Sequence, residues 1–593
     1  MDARHNLVDI YEHIQKESVN YLIDKYQAKV VQENDEKYKY PVILEVSITV
    51  AGFNIKLLIS LPFNFPDSFP RFKLGDSSFN TLYPLPHLDK LKTLCLFDEV
   101  LASPNPNNPL GILDSSIEKA KDILSAGILK QNLNEYTEEF KTYWLQESKD
   151  FYLSIVEPSV TDKEIFFIPF NFPNWLQKGL FTDNKSVAIK WVQNLGGRIN
   201  EEEFEKVLYI PLTESMLFPF PNRNKDIYQL LKGKKPALQA ISNYLTKNKR
   251  PAKVLFSIKS ENEYTWGAWE HVKPFKRIIS HYKGKRKTQT SLKGFRKGTQ
   301  HGWLELAKDF SNMEINKYPI EDVRSTRLKN RGGDGKTENH ELKVAVVGCG
   351  AVGSHIAQGL TDIGIEHLFL IDSDKLNFEN INRHLCGASD VGQPKPEVVK
   401  NKLRKHHPTS KIDVYNDNVL SLLTTSPKAL NSYDLIILAI SHLPTELRIN
   451  ELQTKEIITK PILNLWIEPY LAGGHAIWLN PEDKISISSL FKENGEYKNQ
   501  VLKDGNAYTK KELGCNTSYV PYGVLELRKF VNNIMLFTGQ QLNESNRKSK
   551  TVTWLGNLTD QKRHKRLLSP KWLGATDFSL RAKNIENNQE SVD

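Results

Sequence analysis

One stretch, KVAVVGCGAVGSHIAQGL at residues 343–360, constrains the fold more than any other. An apolar, strand-like run meets Gly348, Gly350 and Gly353 in G-x-G-x-x-G spacing, and a helical pattern follows. Glycines there let the backbone approach phosphates, and a helix N-terminus favours their negative charge. HLFLIDSD (367–374) reads as a second strand, YDLIILAIS (433–441) as a third and PILNLWIEP (461–469) as a fourth. Strands alternating with helical segments predict a doubly wound, Rossmann-like parallel sheet. Asp372 ends the second strand, about 20 residues past the turn, where an acid can hold a ribose hydroxyl. A nicotinamide dehydrogenase would show the same features, so this pattern alone does not fix the chemistry.

The next residues narrow it. LIDSDKLNFENINRHLCGASDVGQPKPEVVKNKL (370–403) carries D-x-D, then N-x-N-R-H, then G-Q-P-K. A dehydrogenase has no use for an arginine and a lysine converging after the ribose acid. An adenylating enzyme does, because cations must offset the charge that grows on a pyrophosphate leaving group. Arg383 and Lys395 suit that role, with Asn380 as a neutral hydrogen-bonding partner. The plainer alternative is two surface cations at a helix start.

On these motifs residues 342–410 resemble the ThiF-type adenylation domain shared by ubiquitin-activating and sulfur-carrier activating enzymes. The resemblance implies binding of ATP and magnesium and adenylation of a small protein's C-terminal glycine. It implies that Gly348, Gly350 and Gly353 cradle phosphates, that Asp372 holds the ribose, and that Asn380, Arg383 and Lys395 face the phosphates. It also implies a homodimer in which Arg327 or Arg331 reaches the partner's ATP. One departure stands out. The family has a magnesium-binding Asp where this chain has Ser441 or His442. Magnesium ligation would then fall to Asp374, to another carboxylate, or to phosphates and water.

There are four cysteines, at 95, 349, 386 and 515, with no C-x-x-C pair. That pattern argues against a disulfide framework or a cysteine-rich zinc site and predicts a reducing, cytoplasmic setting. Cys515 lies in ELGCNTSYVPYG, a polar loop ahead of a helical pattern. Such a setting can bring a thiol below its free pKa of about 8.5. In ubiquitin-activating enzymes a loop cysteine in this position takes the acyl group as a thioester, and the resemblance implies that role for Cys515. Cys349 and Cys386 read as packing residues.

The N-terminal region predicts a helix over His5–Tyr26, strands over Val42–Val50 and Asn54–Leu61, and closing helices over Ser115–Ala126 and Leu133–Ser148. Between them lie LPFNFPDSFPRFKL (61–74) and HLDKLKTLCLF (87–97). The proline run, a histidine eight residues before a cysteine, and the order of elements resemble a ubiquitin-conjugating domain. The resemblance implies that Cys95 carries a thioester. Where that family has an oxyanion-stabilising asparagine, this chain has Asp89. A carboxylate would oppose an oxyanion, so Asp89 is expected to orient or deprotonate an attacking lysine. His87 is either structural or part of that motif.

A chain of 593 residues exceeds one core. The boundaries predicted are 1–155 for an α+β conjugating-like domain, 156–318 for a mixed intervening domain and 319–593 for the adenylation domain, an α/β multidomain architecture. The middle region offers aromatic strand-like pieces and a basic segment, 271–298, read as a solvated loop or a docking surface. Hydrophobic content of 39% with 25% charged residues suits a soluble protein, and no stretch reads as a signal or membrane span. A net charge of +10 is too weak to argue nucleic-acid binding.

The domain order resembles bacterial conjugating–activating fusions of antiphage CBASS operons, the CD-NTase-associated ligases. The run NLWIEPYLAGGHAIWL (464–479) is also similar to that group. The implied relay adenylates the C-terminal glycine of a protein, a cGAS/DncV-like nucleotidyltransferase (CD-NTase) or a ubiquitin-like protein. The acyl group then passes through Cys515 and Cys95 to a target lysine. Two alternatives stay open: an adenylyltransferase for a ubiquitin-like or sulfur-carrier protein with a non-catalytic N-terminal domain, and a scaffold with a degenerate nucleotide site.

Overall fold

The computed structural model describes residues 3–32, 42–132, 150–212, 220–247, 251–259, 263–271, 279–282, 285–288, 311–332, 341–511, 518–545 and 547–586, plus the single positions 135, 140, 144, 148 and 216. The chain forms two compact units. One comprises residues 1–184 and 200–322, the other 185–199 and 323–593.

The first unit opens with helix Ala3–Tyr26 and a five-stranded antiparallel meander whose strands lie in sequence order. Val42–Val50 and Phe53–Leu61 pair through a two-residue turn in which Ala51 and Gly52 both have positive φ, the geometry that suits strand twist. Period-two alternation puts Leu44, Val46 and Ile48 on the same buried side as Ile55, Leu57 and Ile59. Helix Pro109–Ile128 covers that side with Leu113, Ile117, Ala120 and Leu124. Its start is set by Asn108, whose side chain accepts the Gly111 N–H, and by a proline in the first turn. The predicted helix Leu133–Ser148 lies almost wholly outside the described residues.

The aromatic strand pieces of the middle region belong to a closed seven-stranded barrel. Around the barrel the strands run Ala252–Lys259, Tyr264–His271, Asn316–Asp322, Phe151–Ser154, Gln177–Thr182, Lys163–Pro169 and Glu205–Leu212. Tyr152, Phe167, Phe181, Tyr209 and Trp266 fill one core, and Phe256 and Trp269 belong to a second. Of the basic segment, only 279–282 and 285–288 lie within the described part between 272 and 300, as a short hairpin.

The second unit is built on an eight-stranded sheet. In chain order the sheet strands and the longer helices that frame the site are β1 (Lys343–Val347), α1 (Ala351–Asp362), β2 (His367–Ile371), α2 (Lys395–His406), β3 (Lys411–Tyr415), β4 (Leu435–Leu438), α3 (Leu443–Thr454), β5 (Ile462–Ile467), β6 (Gly473–Leu479), α4 (Val524–Asn543), β7 (Lys550–Leu555) and β8 (Leu580–Asn584). The strand order is β3-β2-β1-β4-β5-β6-β7-β8. The first five strands are parallel and the last three antiparallel. Of the parallel strands, β1, β2, β4 and β5 read as near-continuous apolar runs because both sheet faces are buried, one under α1, α2 and α4, the other under α3 and its neighbours, whereas the edge strand β3 is more polar. Helix α4 packs on α1 where Gly359 leaves room for Met535, whose Cγ would lie 2.6 Å from an added Cβ. Among the described residues no helix is long and apolar enough to cross a membrane.

Candidate active site

The site begins at the β1–α1 turn. Gly348 has φ +91°, and a Cβ there would lie 2.5 Å from the Ala439 carbonyl oxygen. A Cβ at Gly353 would lie 1.8 Å from the Gly348 carbonyl oxygen. These two glycines let the turn fold back on itself and press on the end of β4. Gly350 is different: it is the N-cap of α1, and nothing lies within 4 Å of where its Cβ would be. That open space faces the first turn of α1, where unpaired N–H groups favour an anion.

Three of the residues singled out in the sequence, Asp372, Asp374 and Lys395, form one bonded cluster beside the turn. Asp372 accepts the Cys349 N–H at 2.6 Å on one oxygen and the Asp374 N–H at 2.8 Å on the other. Asp374 in turn receives Lys395 Nζ at 2.7 Å, and its carbonyl accepts the Lys395 N–H at 2.9 Å. Lys395 is nearly buried at the start of α2, whereas the Asp374 carboxylate is largely exposed. The Asn380 carbonyl accepts the N–H groups of Arg383 and His384, so N-x-N-R-H forms a single tight turn.

His384 clamps that turn to the glycine loop, a role the motif's letters did not disclose. Its Nδ1 accepts the Cys386 N–H at 3.0 Å, which leaves Nε2 as the protonated nitrogen donating to the Cys349 carbonyl at 2.7 Å. Burial holds its pKa below the ordinary histidine value, in keeping with a neutral ring. His355 on α1 donates to the Arg383 carbonyl at 3.1 Å, and burial takes its pKa down to about 4. Cys349 and Cys386 are buried; burial raises both thiols, Cys386 to about 12.

Arg383 points into a cavity of about 640 Å³ that also reaches Gly350 and runs past the ends of β4 and β5. Ser441, at the position where an acid was expected, lines the cavity with φ +51°. His442 is the N-cap of α3 and bonds Thr445 Oγ1 at 2.9 Å. One turn into α3 lies Glu446, a cavity residue with no counterpart among the sequence expectations. It is 3% exposed, its Oε1 has no hydrogen-bond partner among the described residues, and burial pushes its pKa up to about 7, against the backbone amides of His442 and Ser441. Its only signal in the sequence is an acid in a first helical turn, which is usually solvated. Glu468, another wall residue, is fully engaged: it bonds His475 Nε2 at 2.6 Å and accepts the Val501 and Leu502 N–H groups at 2.6 and 2.7 Å.

Cys515 and the rest of 512–517 lie outside the described residues. The chain on either side is placed: Lys510–Lys511 pairs with Ser518–Tyr519, and Thr509, Tyr519 and Val520 line the cavity. Arg383 Nη1 donates to the Val520 carbonyl at 3.1 Å and the guanidinium sits 4.7 Å from the Tyr522 ring centroid. Arg331 is exposed at the end of helix Ser325–Gly332, and neither it nor Arg327 lines the cavity. Among the described residues no group of three or more His, Cys, Asp or Glu could hold a metal ion.

In the first unit, Cys95 is exposed directly after strand Thr93–Leu94, and its N–H donates to the His87 carbonyl at 2.8 Å. His87 has φ +61° and its Nε2 lies 2.9 Å from Glu135 Oε2. Asp89 Oδ1 accepts the Thr93 N–H at 2.7 Å, and the two backbones bond again at 3.0 Å. One oxygen of Asp89 therefore closes the turn that presents Cys95.

Residues 323–500 match the ThiF family, and residues 21–153 match prokaryotic E2 family B. Over 141 residues the chain is 33% identical to ubiquitin-like modifier-activating enzyme 5 of Xenopus laevis, covering 23% of this chain and 34% of that protein. It is 26% identical over 141 residues to the sulfur carrier protein adenylyltransferase of Thermus thermophilus, covering 24% and 51% respectively. It is 28% identical over 168 residues to tRNA threonylcarbamoyladenosine dehydratase 2 of Saccharomyces cerevisiae, covering 27% and 32%. The chain thus spans between a third and about half of the curated relatives it matches. The solved structure of PaaA aligns at 17% identity with a TM-score of 0.27, over 42% of this chain and 65% of that one, a likeness on which nothing further rests. Taken with the glycine turn, the Asp372–Asp374–Lys395 cluster and the parallel sheet, these matches identify a ThiF-family adenylation domain at residues 323–500, in one chain with a prokaryotic E2 family B domain at residues 21–153.

Proposed function

We propose that this chain is an ATP-dependent ligase that activates the C-terminal glycine of a protein and joins it to a lysine amine. One observation carries the reading: Gly350 and Arg383 share a cavity with Thr509, Tyr519 and Val520, the residues that bracket the cysteine-bearing stretch. In the first step the substrate's terminal carboxylate attacks the α-phosphorus of ATP, and pyrophosphate leaves. Lys395 and Arg383 offset the growing negative charge, Asn380 and the α1 N-terminus orient the phosphates, and Asp372 holds the ribose. Asp374 is the carboxylate suited to the magnesium that ATP carries, because this ion takes one or two carboxylates together with phosphates and water. Magnesium would add positive charge at the phosphates.

The Cys515 thiolate then attacks the acyl adenylate, releasing AMP and leaving a thioester. The Cys95 thiolate attacks that thioester, and Cys515 leaves as thiolate. A target lysine amine finally attacks the Cys95 thioester, gives up a proton and expels the Cys95 thiolate, leaving an isopeptide bond. The domain order supports a CD-NTase as the acyl donor in an antiphage CBASS setting, and the sparse cysteines without a C-x-x-C pair suit the cytoplasm. The resemblance to ThiF-type adenylation domains is the ground for a homodimer in which Arg331 or Arg327 serves the second site.

A narrower reading, adenylation of a ubiquitin-like or sulfur-carrier protein with a non-catalytic N-terminal domain, is favoured by the use of Asp89 in a turn. In that case Cys95→Ala leaves product formation intact. Adenylation itself is tested by isotope exchange between pyrophosphate and ATP in the presence of carrier. The reading requires exchange that survives Cys515→Ala and is lost in Lys395→Ala; no exchange with any glycine-ended carrier overturns it.

A further inference from the structure

We propose that the cavity beside the glycine turn recognises a lysine or arginine side chain near the C-terminus of the substrate protein, and that Glu446 reads it. This builds on the adenylation reading, since it assigns a substrate class to the same cavity. Glu446 is 3% exposed, lines the cavity, and keeps Oε1 without a partner among the described residues. A buried acceptor left unmade is unfavourable, and a buried carboxylate more so, unless something brings a donor. The nearest cation along α3, Arg448, is exposed and pairs with Glu451 instead.

The other acidic wall residues are spoken for. Glu468 holds His475 and two backbone amides, and Glu496 pairs with Lys492 at 3.0 Å. The walls supply the second half of a cation site. Trp466, Phe491 and Tyr497 all line the cavity and pack on one another, with ring centroids 4.9 to 5.8 Å apart. Aromatic faces attract ammonium and guanidinium groups, and the aliphatic stem of such a side chain lies well on them. Arg383, the one cation lining the cavity among the described residues, gives the same space an anion-binding group. A free carboxylate with a basic side chain a few residues before it matches both signs of charge, and a peptide C-terminus is the simplest such ligand.

The test uses the full chain and short synthetic peptides with a free C-terminal glycine and alanine elsewhere. Each carries one lysine two, three or four residues before the glycine, and each has a norleucine counterpart. Affinities are measured by isothermal titration for the wild type and for Glu446→Gln. We expect one lysine position to bind about tenfold tighter than its norleucine counterpart, and Glu446→Gln to remove that preference. Absence of a lysine preference at every position, absence of binding, or a preference that survives Glu446→Gln overturns the proposal. Magnesium binding that depends on Glu446 without peptide also overturns it, by assigning the carboxylate to a metal. Pyrophosphate exchange is read separately. Lysine-selective binding without exchange sinks the adenylation reading, whereas exchange without lysine selectivity sinks only this inference.

Discussion

Arg383 donates to the Val520 carbonyl at 3.1 Å and lies over the Tyr522 ring, so a residue of the phosphate-side turn holds the chain that leaves the Cys515 stretch. Lysine cannot reproduce a planar fork that bonds and stacks at once. Arg383→Lys is expected to slow both pyrophosphate exchange and thioester formation by about 10²-fold. Tyr522→Phe keeps the stacking ring and is expected to stay near wild type in both assays. Equal activity of Arg383→Lys and wild type would remove Arg383 from the site.

The three glycines separate under substitution. An alanine at Gly353 meets the Gly348 carbonyl at 1.8 Å, so Gly353→Ala is expected to lose about 3 kcal/mol of stability in urea unfolding. Gly350→Ala meets nothing and sits at a backbone conformation open to alanine, φ −71°. It is expected to leave stability within about 1 kcal/mol of wild type while weakening ATP binding, because its methyl group intrudes where the phosphates approach.

Asp374 and Lys395 form one ion pair, yet their substitutions are expected to differ. Lys395→Ala removes a cation from the leaving group and is expected to reduce exchange by about 10²-fold at every magnesium concentration. Asp374→Asn is expected to raise the magnesium needed for half-maximal exchange about tenfold, with activity recovered at high magnesium. An unchanged magnesium requirement would leave the ion to phosphates and water.

Burial raises the Glu446 pKa from an ordinary 4.5 to about 7. For an acid whose folded-state pKa lies above its unfolded value, the neutral form favours folding. That stability is present below about pH 4.5 and is lost as pH rises through about 7. Glu446→Gln, neutral throughout, lacks this loss. It is expected to be more stable than wild type at pH 8 by about 3 kcal/mol, the difference shrinking towards pH 5, as read by chemical unfolding across that range. A pH-independent difference would show that Glu446 does not titrate there.

The nucleotide half of the chain was legible because its signals are local. Gly348, Gly350 and Gly353 announce a turn by spacing alone, and β1, β2, β4 and β5 are apolar runs that read as buried parallel strands. The barrel was not legible, because its closure joins Asn316–Asp322 to Phe151–Ser154, strands far apart in sequence whose pairing no local pattern encodes. Offsets from a motif also conceal what a side chain is already doing. Asp89 stands where an asparagine was expected, but only the fold discloses the Thr93 N–H on its carboxylate. Glu446 reads as a solvated acid near a helix start until the fold buries it in the cavity wall, and His384 reads as one letter of a motif until the Cys349 carbonyl meets it.

The relay is tested most directly on a non-reducing gel of the full chain with ATP, magnesium and a CD-NTase bearing its native C-terminus. Two reductant-sensitive adducts are expected. Cys515→Ala should abolish both, and Cys95→Ala should spare the first while stopping transfer to lysine. Charging of Cys95 in the Cys515→Ala variant, or adducts that form without ATP, would contradict the relay.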